Sequence, residues 1–84
     1  MSENEALKEI YYNLQLGKSY GKYDSYGFDA KLYLFTSRVT GKNLIGWRNY
    51  GSSANKNTLK DLKWIINTIF DTTAKEFINE FILN

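Results

Sequence analysis

Phe28-Asp29-Ala30-Lys31-Leu32-Tyr33-Leu34-Phe35-Thr36-Ser37-Arg38-Val39-Thr40-Gly41-Lys42-Asn43-Leu44-Ile45-Gly46-Trp47 is the stretch that decides the fold. Successive side chains of a strand point to opposite faces. Residues 28–39 therefore read as a strand with Phe28, Ala30, Leu32 and Leu34 toward a core. Tyr33, Phe35 and Val39 fall on the other face with Asp29 and Lys31. Thr40-Gly41-Lys42-Asn43 is a turn signal, and residues 44–50 form the returning strand, with Ile45 and Trp47 sharing a face. The centre of the chain is thus an antiparallel hairpin.

The flanks of the hairpin are helical. Residues 3–16 carry Leu7, Ile10, Tyr11 and Leu14 on one stripe, with a Ser2/Glu5 capping-box pattern before them and Gly17 after them. Residues 58–70 form a second helix, capped by Asn57 or Thr58, with Leu59, Leu62, Ile65, Ile66, Ile69 and Phe70 as its apolar stripe. Asp71-Thr72-Thr73 interrupts it. Thr73 and Glu76 repeat the capping pattern, which predicts a last helix over about 74–83 burying Phe77, Ile78, Phe81 and Ile82. Residues 17–27 are a loop or a short, Tyr-rich third strand, because Tyr20, Tyr23 and Tyr26 recur at a spacing that suits neither helix nor strand. Residues 51–57 are a polar loop. The expected fold is α+β: an N-terminal helix, a small antiparallel sheet of two or three strands, then two C-terminal helices packed on one sheet face, in a single domain over 1–84. Covering one face leaves the other open, which is where Tyr33, Phe35 or Trp47 would be exposed.

The charge is arranged unevenly. The chain of 84 residues has a net charge of +2, but residues 17–63 alone sum to +6 and each flanking segment to −2. Such an arrangement speaks to partners and steering; solubilising charges that neutralise one another in the fold are the alternative. There is no Cys, so disulfides and thiolate metal sites are excluded, and no His, the commonest general base and metal ligand. No cofactor is implied. Ser25, Ser37, Ser52 and Ser53 have no base arranged around them. Gly17-Lys18-Ser19-Tyr20-Gly21-Lys22 has the wrong spacing for a phosphate loop. No apolar run approaches a membrane span and the N-terminus carries no signal-peptide core, so the expected location is the cytoplasm. Many Asn, Lys, Ile and Tyr with no Pro is the bias of an AT-rich genome, such as a low-GC bacterium or its phages.

Residues 32–46, from Leu32-Tyr33-Leu34-Phe35 through the turn to Leu44-Ile45-Gly46, resemble the first hairpin of GIY-YIG nucleases. The leading Gly-Ile-Tyr is absent and no Arg follows Arg48, so the resemblance does not carry their catalysis. The helix–sheet–helix layout is similar to that of double-stranded-RNA-binding domains, with Gly41-Lys42, Gly51-Ser52-Ser53, Lys56 and Lys60 in the place of their last turn and basic helix start. That likeness implies phosphate and shape reading across minor grooves. Their Ala-rich second helix and adjacent lysine pair are missing here.

The expected activity is therefore non-enzymatic binding, and the expected contact residues form three groups. Trp64 lies nearly opposite the apolar stripe of its helix, beside Lys60 and Asp61; the first or last helix covering it is the alternative. Arg38, Lys42, Trp47 and Arg48 surround the hairpin, where Trp47 in the core is the alternative. Tyr20, Tyr23 and Tyr26, with Lys18 and Lys22, make an adaptable recognition loop. A protein partner is expected first, as for an inhibitor or accessory factor of a phage or mobile element. Direct nucleic-acid binding through the basic middle is the other reading, and a homodimer through the open face or hairpin edge suits the same residues.

Overall fold

A computed structural model describes residues 1–23, 29–49 and 59–83; the side chains of Lys22, Tyr23, Asp29, Arg48 and Asn49 are not among what it describes. The order of elements is α1 (Glu3–Gln15), β1 (Tyr20–Tyr23), β2 (Asp29–Thr36), β3 (Asn43–Asn49), α2 (Leu59–Thr68) and α3 (Ala74–Phe77), which runs on as a π-helical turn over Ile78–Ile82. The three strands form one antiparallel sheet in the order β1-β2-β3, and the fold is α+β as the sequence predicts. Phe28, the 51–57 loop and the Asn57/Thr58 cap lie outside the described residues.

Local chemistry explains the helix ends. Ser2 and Glu5 make a reciprocal capping box: the Ser2 hydroxyl accepts from the Glu5 N–H at 3.1 Å, and the Ser2 N–H donates to the Glu5 carboxylate at 3.0 Å. Those donors hold the Glu5 carboxyl below its usual range, the Ser2 backbone N–H contributing most. At the other end Gly17 takes a φ of 89°, its N–H reaching the Leu14 carbonyl while the Lys18 N–H reaches that of Asn13. This 6→1 and 5→2 pair is a Schellman motif, which needs the left-handed residue that Gly supplies without strain. Asp71 (φ 54°) reverses the chain after α2, a conformation that a short polar side chain tolerates.

The last helix departs from the expected pattern in two ways. Thr73 caps it through the Glu76 N–H, but the Glu76 carboxylate accepts from the Thr72 hydroxyl, so the second capping box is only half formed. The free Ala74 and Lys75 N–H groups donate instead to the carboxylate of Glu3, seventy-odd residues away in the first turn of α1. One anion thereby sits at the N-terminal ends of two helices, where their dipoles favour it. Beyond Ile78 the helix widens by one residue per turn, with Leu83 N–H bonded to the Ile78 carbonyl. Phe77 and Ile78 remain buried, while Phe81 and Ile82 lie at the edge of the core.

The helices and the inner sheet face enclose one core. It is built from Ala6, Leu7, Ile10 and Leu14 of α1, Leu32 and Ile45 of the sheet, Leu62, Ile65, Ile66 and Phe70 around α2, and Phe77 and Ile78. Register settles which sheet residues take part. Leu32 stands opposite Tyr20 on one side and Trp47 on the other, and Leu34 opposite Ile45, so these residues share the helix-covered face. Tyr20 is 9% exposed and meets Phe77 and Phe81 edge-on, with centroids 5.5 and 6.2 Å away.

Candidate binding surface

This register puts two of the expected contact residues, Tyr20 and Trp47, on the helix-covered face. Residues 20–23 form a third strand, and Tyr20 is not a surface residue: its ring fills the core between the sheet and α3. Its hydroxyl is buried with no hydrogen-bond partner among the described residues. Burial, and secondarily the nearby Glu9 carboxylate, pushes its pKa up. Tyr23 lies on β1 opposite Asp29, without a described side chain, and Tyr26 lies outside the described residues. Trp47 is not on the open face. It sits on the helix-covered face, half buried, because two residues along a strand from Ile45 returns a side chain to the same side. Val39 likewise leaves the strand: it stands at the tip of the turn, 94% exposed.

Trp64 lies where the helical wheel places it. The buried stripe of α2 is Leu62, Ile65 and Ile66, and Trp64 projects away from it, 52% exposed, with exposed Lys60 and Lys63 on the same helix. Its inner side rests on Trp47, with centroids 5.9 Å apart and planes inclined by 59°. The indole N–H of Trp47 is buried there and has no hydrogen-bond partner among the described residues. The two rings therefore join β3 to α2 at the margin of the core, one as floor and one as outer face. An exposed indole held from below by another loses little conformational freedom when something packs on it.

Arg38 and Lys42 are exposed in the turn at the opposite end of β3. Trp47 lies five positions along the chain from Lys42, roughly 17 Å at the usual rise. They do not join the tryptophan pair, and the single basic, aromatic surface expected from the sequence divides in two. The turn itself is rigidly made. Ser37 Oγ accepts from the N–H groups of Val39 and Thr40, Gly41 takes a φ of 72°, and Thr36 and Asn43 side chains bond across its base at 2.8 Å. Arg48 holds the register position opposite Lys31.

Two further surfaces lie away from these residues. Tyr33 and Phe35 lie on the open face, partly exposed, as the alternation predicts. A cleft of about 470 Å³ between α1 and the last helix is lined by Met1, Glu9, Lys75, Ile78, Asn79, Ile82 and Leu83. Nothing in the sequence pointed to it, since Met1 and Leu83 lie outside the periodic stripes. Among the described residues no group of three or more acidic side chains gathers to hold a metal ion, and no helix is long and apolar enough to cross a membrane. The outer edge of β3 also bears on pairing with a second copy. The register turns the N–H and C=O of Ile45 outward from β2, yet Ile45 is wholly buried, so that edge is closed at its centre.

Neither a known protein family, nor a characterised protein, nor a solved structure matches this chain.

Proposed function

We propose that this domain is a non-catalytic binding module that docks on a protein partner through the Trp64–Trp47 edge, in the manner of a small phage or mobile-element inhibitor or accessory factor working in the cytoplasm. The observation that supports this reading is the half-exposed Trp64 ring seated on Trp47. Tryptophan is the residue most enriched among binding hot spots, and its contribution is largest where the neighbouring surface already fixes it. Lys60 and Lys63 beside it supply a basic rim that selects an acidic counterpart and raises the encounter rate. The absence of His and Cys from the sequence removes the usual nucleophile–base pairs and agrees with binding without turnover.

The test compares three baits in extracts of the cell of origin: wild type, Trp64→Phe and Trp64→Ala. A specific partner should be retained by wild type, held more weakly by Trp64→Phe, and bound about 30-fold or more weakly by Trp64→Ala, the range of a hot-spot truncation. Equal capture by all three baits overturns the assignment of this edge.

A further inference from the structure

The sheet face turned away from the helices has a different chemistry from the tryptophan edge. On β2 it presents Lys31, Tyr33 and Phe35, and on β3 Leu44 and Gly46. The Tyr33 and Phe35 rings are 5.9 Å apart with planes inclined by 43°, and the Lys31 Nζ lies 6.0 Å from the Tyr33 centroid. Tyr33 spreads over Gly46, its register partner, so closely that a Cβ there would overlap the ring. Gly46 thus lets the ring lie over the sheet. One rung beyond Phe35 and Leu44, the Ser37 N–H bonds to the Lys42 carbonyl, which holds Lys42 in the turn at that end of the sheet. The face is therefore a two-ring platform with a lysine at each end, the lysines roughly 20 Å apart along the strands. Residues 31–48 contain Lys31, Arg38, Lys42 and Arg48 and no carboxylate; Asp29, two residues before Lys31 on β2, holds the next register position of that face.

We propose that this open face is a stacking platform for single-stranded nucleic acid, with bases on Tyr33 and Phe35 and phosphates met by Lys31 and Lys42. Adjacent aromatic rings on an open antiparallel sheet offer π faces at a spacing that successive unstacked bases can use, and the bordering cations track the backbone. A duplex keeps its bases stacked inside and presents phosphates, which the apolar centre of this face does not complement. A second copy of the chain is also disfavoured, since face-to-face packing would bring the lysines of both copies onto one apolar strip. The platform lies on the other side of the sheet from Trp64 and does not rest on the docking proposed there.

The experiment is a fluorescence-anisotropy titration of the full chain with labelled oligothymidylate and oligouridylate of about ten residues, matched against a duplex, at about 50 and 200 mM salt. The expected result is micromolar binding of the single strands in preference to the duplex. A log–log salt slope of about −1.4 is expected, the value for two phosphate contacts on a single strand. Tyr33→Ala should weaken binding about 5- to 100-fold. Phe35→Leu, which keeps the apolar volume but removes the π face, should weaken it tenfold or more, and it remains informative if Tyr33→Ala perturbs the fold. Lys31→Gln with Lys42→Gln should flatten the slope by about 1.4. The proposal is overturned by no binding at low salt, by preference for the duplex, or by binding indifferent to Tyr33→Ala and Phe35→Leu. It is equally overturned if sedimentation shows a dimer that Phe35→Leu dissociates.

Discussion

The two sides of the sheet each carry an aromatic pair at the same centroid distance, 5.9 Å, and the pairs are built in opposite ways. Trp47 and Trp64 come from a strand and a helix, meet across the margin of the core, and leave an indole N–H buried without a partner among the described residues. Tyr33 and Phe35 come from one strand, two residues apart, and the Tyr33 ring lies over a glycine. The first pair exists only when α2 is docked on the sheet. The second is set by the pleat and the β2–β3 register alone. The helix-covered side therefore couples its surface to global stability, whereas the open side can be altered with little effect on the fold. A small domain with a thin core has little stability to spare, so surface residues that are not also core residues are the ones free to serve a ligand.

Adjacent residues on β2 offer the sharpest way to break this contrast. Leu32 is fully buried and Tyr33 is not. Leu32→Ala should lower the unfolding free energy by about 2–5 kcal/mol, enough to unfold much of the population in a domain this small. Tyr33→Ala, one position along, should lower it by about 1 kcal/mol, the scale of a cross-strand pair. Urea unfolding followed by tryptophan fluorescence measures both. Equal losses would mean that the open face is covered and structural, and the distinction between the two sides would fail.

How much of this was legible in the sequence follows from how local each feature is. The Ser2/Glu5 box, the Gly17 terminus and the core-facing Ala30, Leu32 and Ile45 of the hairpin depend on residues a few positions apart, and they stand as read. Trp64 was also legible, since a helical wheel needs no partner element. The burial of Tyr20 was not, because it is decided by pairing with Leu32 and packing on Phe77, both distant in sequence. Trp47 was assigned to Ile45's face but also offered to the open one; only the β2–β3 register, with Leu32 as its partner, removes that ambiguity. The Glu3 carboxylate at the start of α3 is a contact between opposite ends of the chain that no periodicity signals. The expected merging of Arg38 and Lys42 with the tryptophans failed for the same reason. Sequence proximity around a hairpin does not say which end of the strand a residue occupies in space.

A smaller effect is expected at Gly46, where the platform and the sheet meet. Gly→Ala in a strand normally removes an entropic disadvantage of about 0.5–1 kcal/mol. Here the added Cβ must push the Tyr33 ring aside, so Gly46→Ala should instead destabilise by about 1 kcal/mol. In a Tyr33→Ala background the obstacle is gone and the same substitution should become neutral or stabilising. That sign reversal in a double-mutant cycle is the signature of the ring-over-glycine arrangement. Additivity of the two substitutions would show that the ring does not lie there.

The least perturbing change probes the helix-covered side through Tyr20. Its hydroxyl is buried without a partner among the described residues, so Tyr20→Phe removes an uncompensated polar atom and keeps the ring packing against Phe77 and Phe81. At neutral pH the variant should match the wild type or exceed it by up to about 1 kcal/mol. The two should diverge in alkali. Burial raises the pKa of Tyr20 in the folded chain, so folding favours the neutral phenol. The associated stability is complete below the unfolded tyrosine value of about 10 and is lost as the pH rises from there through the raised folded value. Wild-type stability should therefore fall above about pH 10 more steeply than that of Tyr20→Phe, in which this ionisation is absent. Parallel alkaline profiles would place the Tyr20 hydroxyl in contact with water, and with it the boundary between the two sides of the sheet would move.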